Sequence, residues 1–168
     1  MSSSLLLSFQ FDRYKTGTNC GGDIRAESWK MKEIAKTVLL RAKTGTLSAC
    51  DFETGSPFGA LVNVATDDDG LPLFLFSNLA RHTKSLLQNP EASLLISELP
   101  SEGDALTGFR ATIVGSLVRI ETDPTSYLAK HPYAEMYIGF DDFGFWRMNP
   151  RMIYVVAGFG RIQSFGWD

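Results

Sequence analysis

Apolar and polar residues alternate with two different periods along this chain, and the period changes near residue 45. Before that point, apolar residues recur at spacings of three and four, as in an amphipathic helix with a basic outer face. The positions in question are Ile34, Val38, Leu39 and Ala42. We predict that this helix begins after an N-cap at Ser28 and ends at Gly45.

The rest of the chain has the short apolar runs and turn signals of a β-protein. Strands are predicted over residues 46–50, 58–66, 73–77, 92–98 and 110–120, and at 146–148 and 152–156, the last two joined by Asn149-Pro150. Helices are predicted over 79–88, 124–131 and 134–138. The first turns are too short for parallel crossovers, so the first three strands are expected to form an antiparallel meander. The pattern predicts a mainly β (α+β) fold, a small six-stranded barrel with peripheral helices.

The composition fits one domain. The 168 residues are 44% hydrophobic and 12% aromatic, enough to bury a core. Residues 1–26 are rich in Ser, Gly and Thr and are interpreted as a flexible N-terminal arm, with a single domain over 27–168. Cys20 and Cys50 lie far apart with no metal-binding spacing, so we expect free thiols and no metal site.

Charge and hydropathy limit the kinds of partner that this protein is expected to bind. The net charge of −3 argues against a nucleic-acid binder. No apolar run approaches the roughly 20 residues that span a bilayer. We therefore expect a cytoplasmic protein that binds neither nucleic acid nor membrane.

The segment from Phe76 to Pro90 is the strongest candidate for binding chemistry. A buried strand ends in Ser77-Asn78 and leads into a helix whose first turn contains Arg81, His82 and Lys84. Free backbone N–H groups at a helix start, together with Arg and Lys, favour an anion such as a phosphate. The alternative is an ordinary solvated basic helix face.

A second candidate is Asn63, the one amide in an otherwise apolar strand. A planar heterocycle with carbonyl and N–H edges would give this amide a partner. The alternative is an amide that caps a neighbouring strand. Neither His82 nor His131 lies in a triad or metal motif, so hydrolase and metalloenzyme chemistry is not predicted.

Several short sequence motifs, taken together, carry a resemblance to a known family. They are Ser-Asn before Arg81-His82, Leu-x-x-Asn-Pro after it, Gly-Ser-Pro-Phe-Gly-Ala-Leu-Val-Asn-Val, and Gly-Phe-Gly-Arg. From about residue 45 to 161 the chain resembles the pyridoxamine-phosphate-oxidase superfamily of FMN-binding split barrels. Within it, the chain looks like the branch related to haem-utilisation oxygenases. The resemblance implies a six-stranded antiparallel split β-barrel that binds FMN between two subunits of a homodimer.

The resemblance also implies a set of cofactor contacts. Arg81 takes the place of the phosphate-binding arginine, and His82 stands where the enzymes have a lysine. Arg110 falls at a polar flavin contact, whereas Ala60 and Ala65 replace two basic contacts, which counts against oxidase activity. The cofactor-binding residues predicted on this basis are Ala60, Leu61, Val62, Asn63, Ser77, Arg81, His82, Lys84 and Arg110.

Three functions remain open from the sequence. The first is an FMN-dependent oxidoreductase of unknown substrate and with no assigned general acid or base. The second is a haem-binding or haem-degrading split barrel, ranked lower because no histidine follows His131 where the haem-utilisation relatives have one. The third is a non-catalytic dimer that acts by interaction. The aromatic segment from Phe140 to Trp146 is expected to lie in the dimer interface.

Overall fold

The computed structural model describes residues 24–158 and 161–167. Its helices are α1 (Ile24–Arg41), α2 (Arg81–Gln88) and α3 (Thr125–Lys130), with 3-10 helices at Ala105–Thr107 and Pro132–Met136. Its strands are β1 (Thr44–Cys50), β2 (Pro57–Asn63), β3 (Ala65–Thr66), β4 (Pro72–Ser77), β5 (Glu91–Glu98), β6 (Phe109–Ile120), β7 (Phe143–Ala157) and β8 (Ile162–Gly166). None of the described helices is long and apolar enough to cross a membrane.

The strands form one antiparallel sheet that curls on itself. The order is β2-β1-β5-β6-β7-β4-β3, and β8 adds to β7. β2 and β3 lie at opposite edges of this order, yet only Val64 separates them in sequence. The two edges of the sheet therefore meet at Val64. Because β2 and β3 occupy a single position around the barrel, the barrel has six strand positions. The predicted antiparallel split barrel with peripheral helices is confirmed in this form.

Period-2 alternation builds the barrel interior. On β1, Leu47 and Ala49 are buried, whereas Thr46 before them and Cys50 after them are exposed. Inward residues of the other strands and of α1 complete the main core, including Val38, Leu39, Phe74, Phe76, Leu94, Ile113, Trp146 and Ile153. A smaller core under α3 surrounds Tyr127, Leu73 and Leu75.

The barrel has two different ends. β1, β4 and β6 finish at one end, where β2, β5 and β7 begin and where α2 packs on β1 and β2. We call this the α2 end. At the other end α1 packs against β3, β5, β7 and β8 before the chain enters β1. We call that the α1 end.

Two strand predictions were wrong at their connections. The single strand predicted over 58–66 divides at Val64, whose amide donates to the Lys43 carbonyl instead of a neighbouring strand. The break predicted at Asn149-Pro150 does not occur, because β7 continues through it. Gly115 faces this site, and the register of β6 against β7 shifts there. A bulge opposite a residue without a side chain absorbs the proline.

Other predictions need smaller corrections. α1 begins at Ile24, so Ser28 lies inside the helix and is not its N-cap, and Gly45 belongs to β1. β8 was not predicted. Within the aromatic segment, Trp146 is only 3% exposed and packs in the barrel core of its own chain, so it is not an interface residue. Apart from its last three residues, the predicted arm over 1–26 lies outside the described residues.

Candidate functional site

The α2 end collects most of the predicted anion site. Ser77 ends β4, and Arg81 and His82 begin α2 directly after it, with Lys84 exposed one turn further on. The turn after β1 lies beside them, because Phe52 donates its backbone N–H to the Ser85 hydroxyl. One short loop and one helix turn therefore fix these side chains.

Arg81 is held by two carboxylates. Its Nε donates to Asp51 Oδ2 at 2.5 Å and its Nη2 to Asp51 Oδ1 at 2.9 Å, while Nη2 also reaches Glu53 Oε2 at 2.8 Å. The hydrogen bond from Arg81 holds the pKa of the buried Asp51 carboxyl far below its usual value. The pKa of Arg81 is raised, first by Asp51 and then by Glu53. The charge predicted to receive a phosphate is thus already neutralised within the chain.

His82 has a different environment. Its ring meets the Phe76 ring edge-on, with centroids 4.6 Å apart. Its Nε2 is buried and has no hydrogen-bond partner among the described residues. Burial lowers the pKa of His82, so the imidazole is neutral at pH 7. A neutral imidazole with an unused ring nitrogen is the form that binds a metal.

Ser77 is not a free hydroxyl. Its Oγ donates to Asp142 Oδ2 at 2.5 Å and accepts from the Leu79 backbone N–H at 3.1 Å. The Asn78 backbone N–H also donates to the Asp142 carbonyl at 2.6 Å. These bonds tie the loop after β4 to the segment before β7 and give the predicted phosphate-binding hydroxyl a protein partner.

The four predicted residues of β2 point to two faces. Val62 is buried in the barrel and Ala60 packs on the same core, whereas Leu61 and Asn63 lie on the outer face. Asn63 lies near the buried Tyr127, whose pKa is raised by burial and lowered again in part by the Asn63 side chain. One edge of β2 pairs with β1, and no described strand pairs with the other.

Arg110 lies away from the anion site. It opens β6 at the α1 end, and its Nη1 donates to the Leu106 carbonyl at 2.7 Å. Ser77 and Arg81 are at the opposite end of the same chain. Only a second subunit would bring Arg110 beside them.

Sequence reasoning missed two residues at the α2 end. Asp51 opens a turn signal, but its partner Arg81 is remote in sequence, so the pattern around it did not predict the pair. Arg119 lies at the end of β6 with its guanidinium against Gly144, in a position that follows from strand register alone. Leu117, two residues earlier, faces inward, and side chains two apart on a strand share a face. This alternation is the sequence signal that could have placed Arg119 on the same face.

The comparisons with known proteins place this barrel in a family. The model of the CREG β-barrel matches residues 29–165, most of the chain. The chain belongs to the CREG β-barrel family. The resemblance to FMN-binding split barrels and their haem-utilisation branch, recognised from the motifs, is confirmed.

Named relatives of this CREG β-barrel chain include haem proteins. The chain is 41% identical over 132 residues to HOZ, an atypical chloroplastic haem oxygenase of Arabidopsis thaliana. The match covers 75% of this chain and 40% of that protein, so the chain spans well under two thirds of its relative. Because that relative is chloroplastic, the expected cytoplasmic location stays a prediction.

Solved structures agree with the fold of this CREG β-barrel. The haem-binding protein of Mycobacterium smegmatis is 29% identical, with a TM-score of 0.76 over 82% of this chain and 58% of that one. HutZ, the haem storage protein of Vibrio cholerae, has a TM-score of 0.55 at 19% identity and covers 81% of this chain and 94% of that one. At that identity it supports the fold alone.

Proposed function

We propose that this protein binds haem, and that haem rather than FMN is its principal ligand. The observation that carries the proposal is the 41% identity to a protein described as a haem oxygenase. The structure of a haem-binding protein at 29% identity supports it. FMN, the first expectation from the sequence, is not confirmed, and the haem alternative takes its place.

The charges at the α2 end support this ranking. A flavin phosphate carries negative charge and needs an uncompensated cation. Arg81, the predicted cation, already faces Asp51 and Glu53. A phosphate placed beside these two carboxylates would meet like charge, which is unfavourable at short range. The basic contacts missing at Ala60 and Ala65 remove two further sources of compensation.

The same end has features that fit haem. A haem site uses an axial ligand, apolar walls and charge for the propionates. His82 offers a neutral imidazole with a buried, unpartnered Nε2, and the Phe76 ring packs against it. His131 is already engaged, since its Nε2 lies 2.9 Å from the Val64 carbonyl. We therefore assign His82 as the candidate iron ligand.

Haem degradation is the further activity that the relationship to the Arabidopsis protein supports. Bound haem would supply the redox chemistry at its iron. The role of this chain would be to hold the macrocycle, with His82 on the iron and the Phe76 ring fixing the plane of the imidazole. No described side chain stands out as a general acid or base.

We also propose a homodimer. Leu61 of β2 and Leu95 of β5 both pair with Thr46 of β1, so the three residues form one row on the outer face of the sheet. Leu61 is 78% exposed. A second copy covering this face would bury the leucines. It would also provide the route by which Arg110 reaches a site shared between subunits.

The visible spectrum of the protein as isolated tests the proposed function. Cells supplied with a haem precursor should give protein with a Soret band at up to one haem per chain. A flavin spectrum with no Soret band would favour the oxidoreductase. Absence of both, with no binding of added hemin or FMN, would leave the non-catalytic dimer as the better account.

A further inference from the structure

The start of α2 lacks the usual cap of a helix. Ala80 stands at the N-cap position and has no side-chain group that could bind the first turn, and no acidic residue lies in that turn. A residue with a side-chain oxygen is preferred at this position, because it accepts a hydrogen bond from a free backbone N–H. The first turn of α2, which carries the candidate iron ligand His82, therefore depends on other contacts for its position.

Asp51 provides the main one of these contacts through Arg81. Their two-point ion pair connects the turn after β1 to the first residue of α2, and the Asp51 side chain is only 4% exposed. The same carboxylate accepts hydrogen bonds from the backbone N–H groups of Glu53 and Thr54. Because Asp51 is buried and bound by its own turn, it is a fixed anchor for Arg81.

Further contacts hold Arg81 in the same place. Its guanidinium lies over the rings of Phe52 and Phe58, 5.6 and 6.0 Å from their centroids. The Ser85 hydroxyl donates to the Arg81 carbonyl at 3.0 Å and accepts from the Phe52 backbone N–H at 3.1 Å. The side chain of Arg81 directly, and its backbone through Ser85, are thus tied to the connection from β1 to β2.

His82, the next residue, has fewer supports of its own. Metal-binding histidines are usually oriented by a hydrogen bond to the ring nitrogen that does not bind the metal. No hydrogen bond to the ring of His82 is found in the part of the chain that the structure describes. The ring contacts Phe76 edge-on, and its direction otherwise follows from the backbone of α2.

We propose that Asp51 is a positioning residue for the iron ligand His82, and that it acts through Arg81. The proposal rests on the proposed haem function. The ion pair fixes the first turn of α2 to the β1 turn, while the Phe76 ring of β4 limits the imidazole from another side. Loss of the pair leaves His82 in the chain but releases the turn that directs its ring.

The Soret maximum separates this positioning role from simple stabilisation. Asp51→Asn should bind hemin about tenfold more weakly than the wild type, the lower end of the range for groups that orient a metal ligand. Its Soret maximum should shift in the same direction as that of His82→Ala, although His82 is present. Arg81→Lys keeps the charge but loses the two-point geometry, so both changes should be smaller. This second variant carries the test if circular dichroism shows that Asp51→Asn does not fold.

Hydrogen exchange of the apoprotein gives a readout that needs no haem. The Lys84 backbone N–H donates to the Ala80 carbonyl at 3.1 Å, and it should exchange faster in Asp51→Asn because the first turn opens more often. Gly45→Ala is the stability control, since its methyl group would lie 2.9 Å from the Leu95 carbonyl oxygen at the α1 end of β1. It should lower the Tm but keep the wild-type exchange at Lys84, hemin affinity and Soret maximum.

Glu53→Gln is the matched charge control, because it removes the exposed carboxylate from the same guanidinium. It should keep the wild-type affinity and Soret maximum, since Asp51 still holds Arg81. Equal effects of Glu53→Gln and Asp51→Asn would overturn the proposal, as would wild-type affinity and spectrum in Asp51→Asn; haem binding would stand in both cases. A wild type that does not bind hemin, or an unchanged spectrum in His82→Ala, would instead overturn the proposed haem site.

Discussion

Asp51 and Arg81, 30 residues apart in sequence, form a two-point ion pair in which Nε–Oδ2 is 2.5 Å and Nη2–Oδ1 is 2.9 Å. Asp51 also accepts from the Glu53 and Thr54 backbone N–H groups and from the Thr54 hydroxyl. The pair joins the turn after β1 to the first turn of α2. It explains why the arginine in the phosphate-binding position of the motif acts as a structural residue here.

The first prediction concerns the acid stability of this pair. The folded-state pKa of Asp51 is lowered, so its contribution is present above the unfolded-state pKa of about 4 and is lost as the pH falls further. Thermal unfolding between pH 7 and pH 3 should show a Tm that falls for the wild type below about pH 4. Asp51→Asn should start several degrees lower at pH 7 and change less on acidification.

The control for that series is Glu98→Gln, which removes a carboxylate from an exposed pair with Arg41. Exposed pairs contribute little, so its Tm should follow the wild type at every pH. If Asp51→Asn also followed the wild type, the pair would not be a stabilising link.

The second prediction compares the two histidines. His82→Ala should weaken hemin binding by about tenfold or more and change the Soret maximum, because an iron ligand is lost. His131→Gln should leave hemin affinity and the Soret maximum unchanged, since the His131 Nε2 already contacts the Val64 carbonyl. Equal effects of both substitutions would argue against His82 as the ligand.

The third prediction tests the outer face of the sheet. Leu61→Asp places a carboxylate in the proposed dimer interface, where its desolvation is unfavourable. Light scattering should give a dimer for the wild type and a monomer for this variant. Leu40→Asp, an equivalent change at a 56% exposed leucine on α1, should remain dimeric. A wild-type monomer at micromolar concentration would exclude the interface.

The fourth prediction concerns the bulge in β7. A methyl group at Gly115 would overlap the Asn149 carbonyl and the Pro150 backbone, neither of which is the flexible end of a side chain. Gly115→Ala should destabilise the fold by about 1–3 kcal/mol, as overpacking does. Gly139→Ala meets no atom within 4 Å and should change the free energy of unfolding by less than about 0.5 kcal/mol. Chemical denaturation of both variants measures the difference.

These glycines show why the sequence predicted the elements better than their connections. Leu47, Ala49 and their counterparts on other strands alternate with a period of two, so the strands and the antiparallel barrel followed from local pattern. Asn149-Pro150 looked like a turn because the residue that accommodates it, Gly115, lies on another strand. Val64 could not be recognised as the closing point because its partner Lys43 precedes β1.

The residues of the candidate site also divide into those that local sequence predicts and those that depend on partners remote in sequence. Ser77, Arg81 and His82 were predicted together because they are adjacent in sequence and the motif is local. Whether Arg81 is a free cation depends on Asp51, which no local pattern connects to it. The place of Arg119 against Gly144 likewise depends on a residue in a neighbouring strand. Charge balance at a site is a property of the folded chain, and sequence motifs do not contain it.

The most direct test of the account is a pair of titrations on one apoprotein preparation, with hemin followed by the Soret band and FMN followed by flavin fluorescence. We expect hemin to bind with saturable stoichiometry of up to one per chain, and FMN to bind at least about 100-fold more weakly, equivalent to about 2.7 kcal/mol. Prior saturation with FMN should leave the hemin titration unchanged. Tight FMN binding that is lost in Arg81→Ala, with weak hemin binding, would contradict the account and restore the flavoprotein.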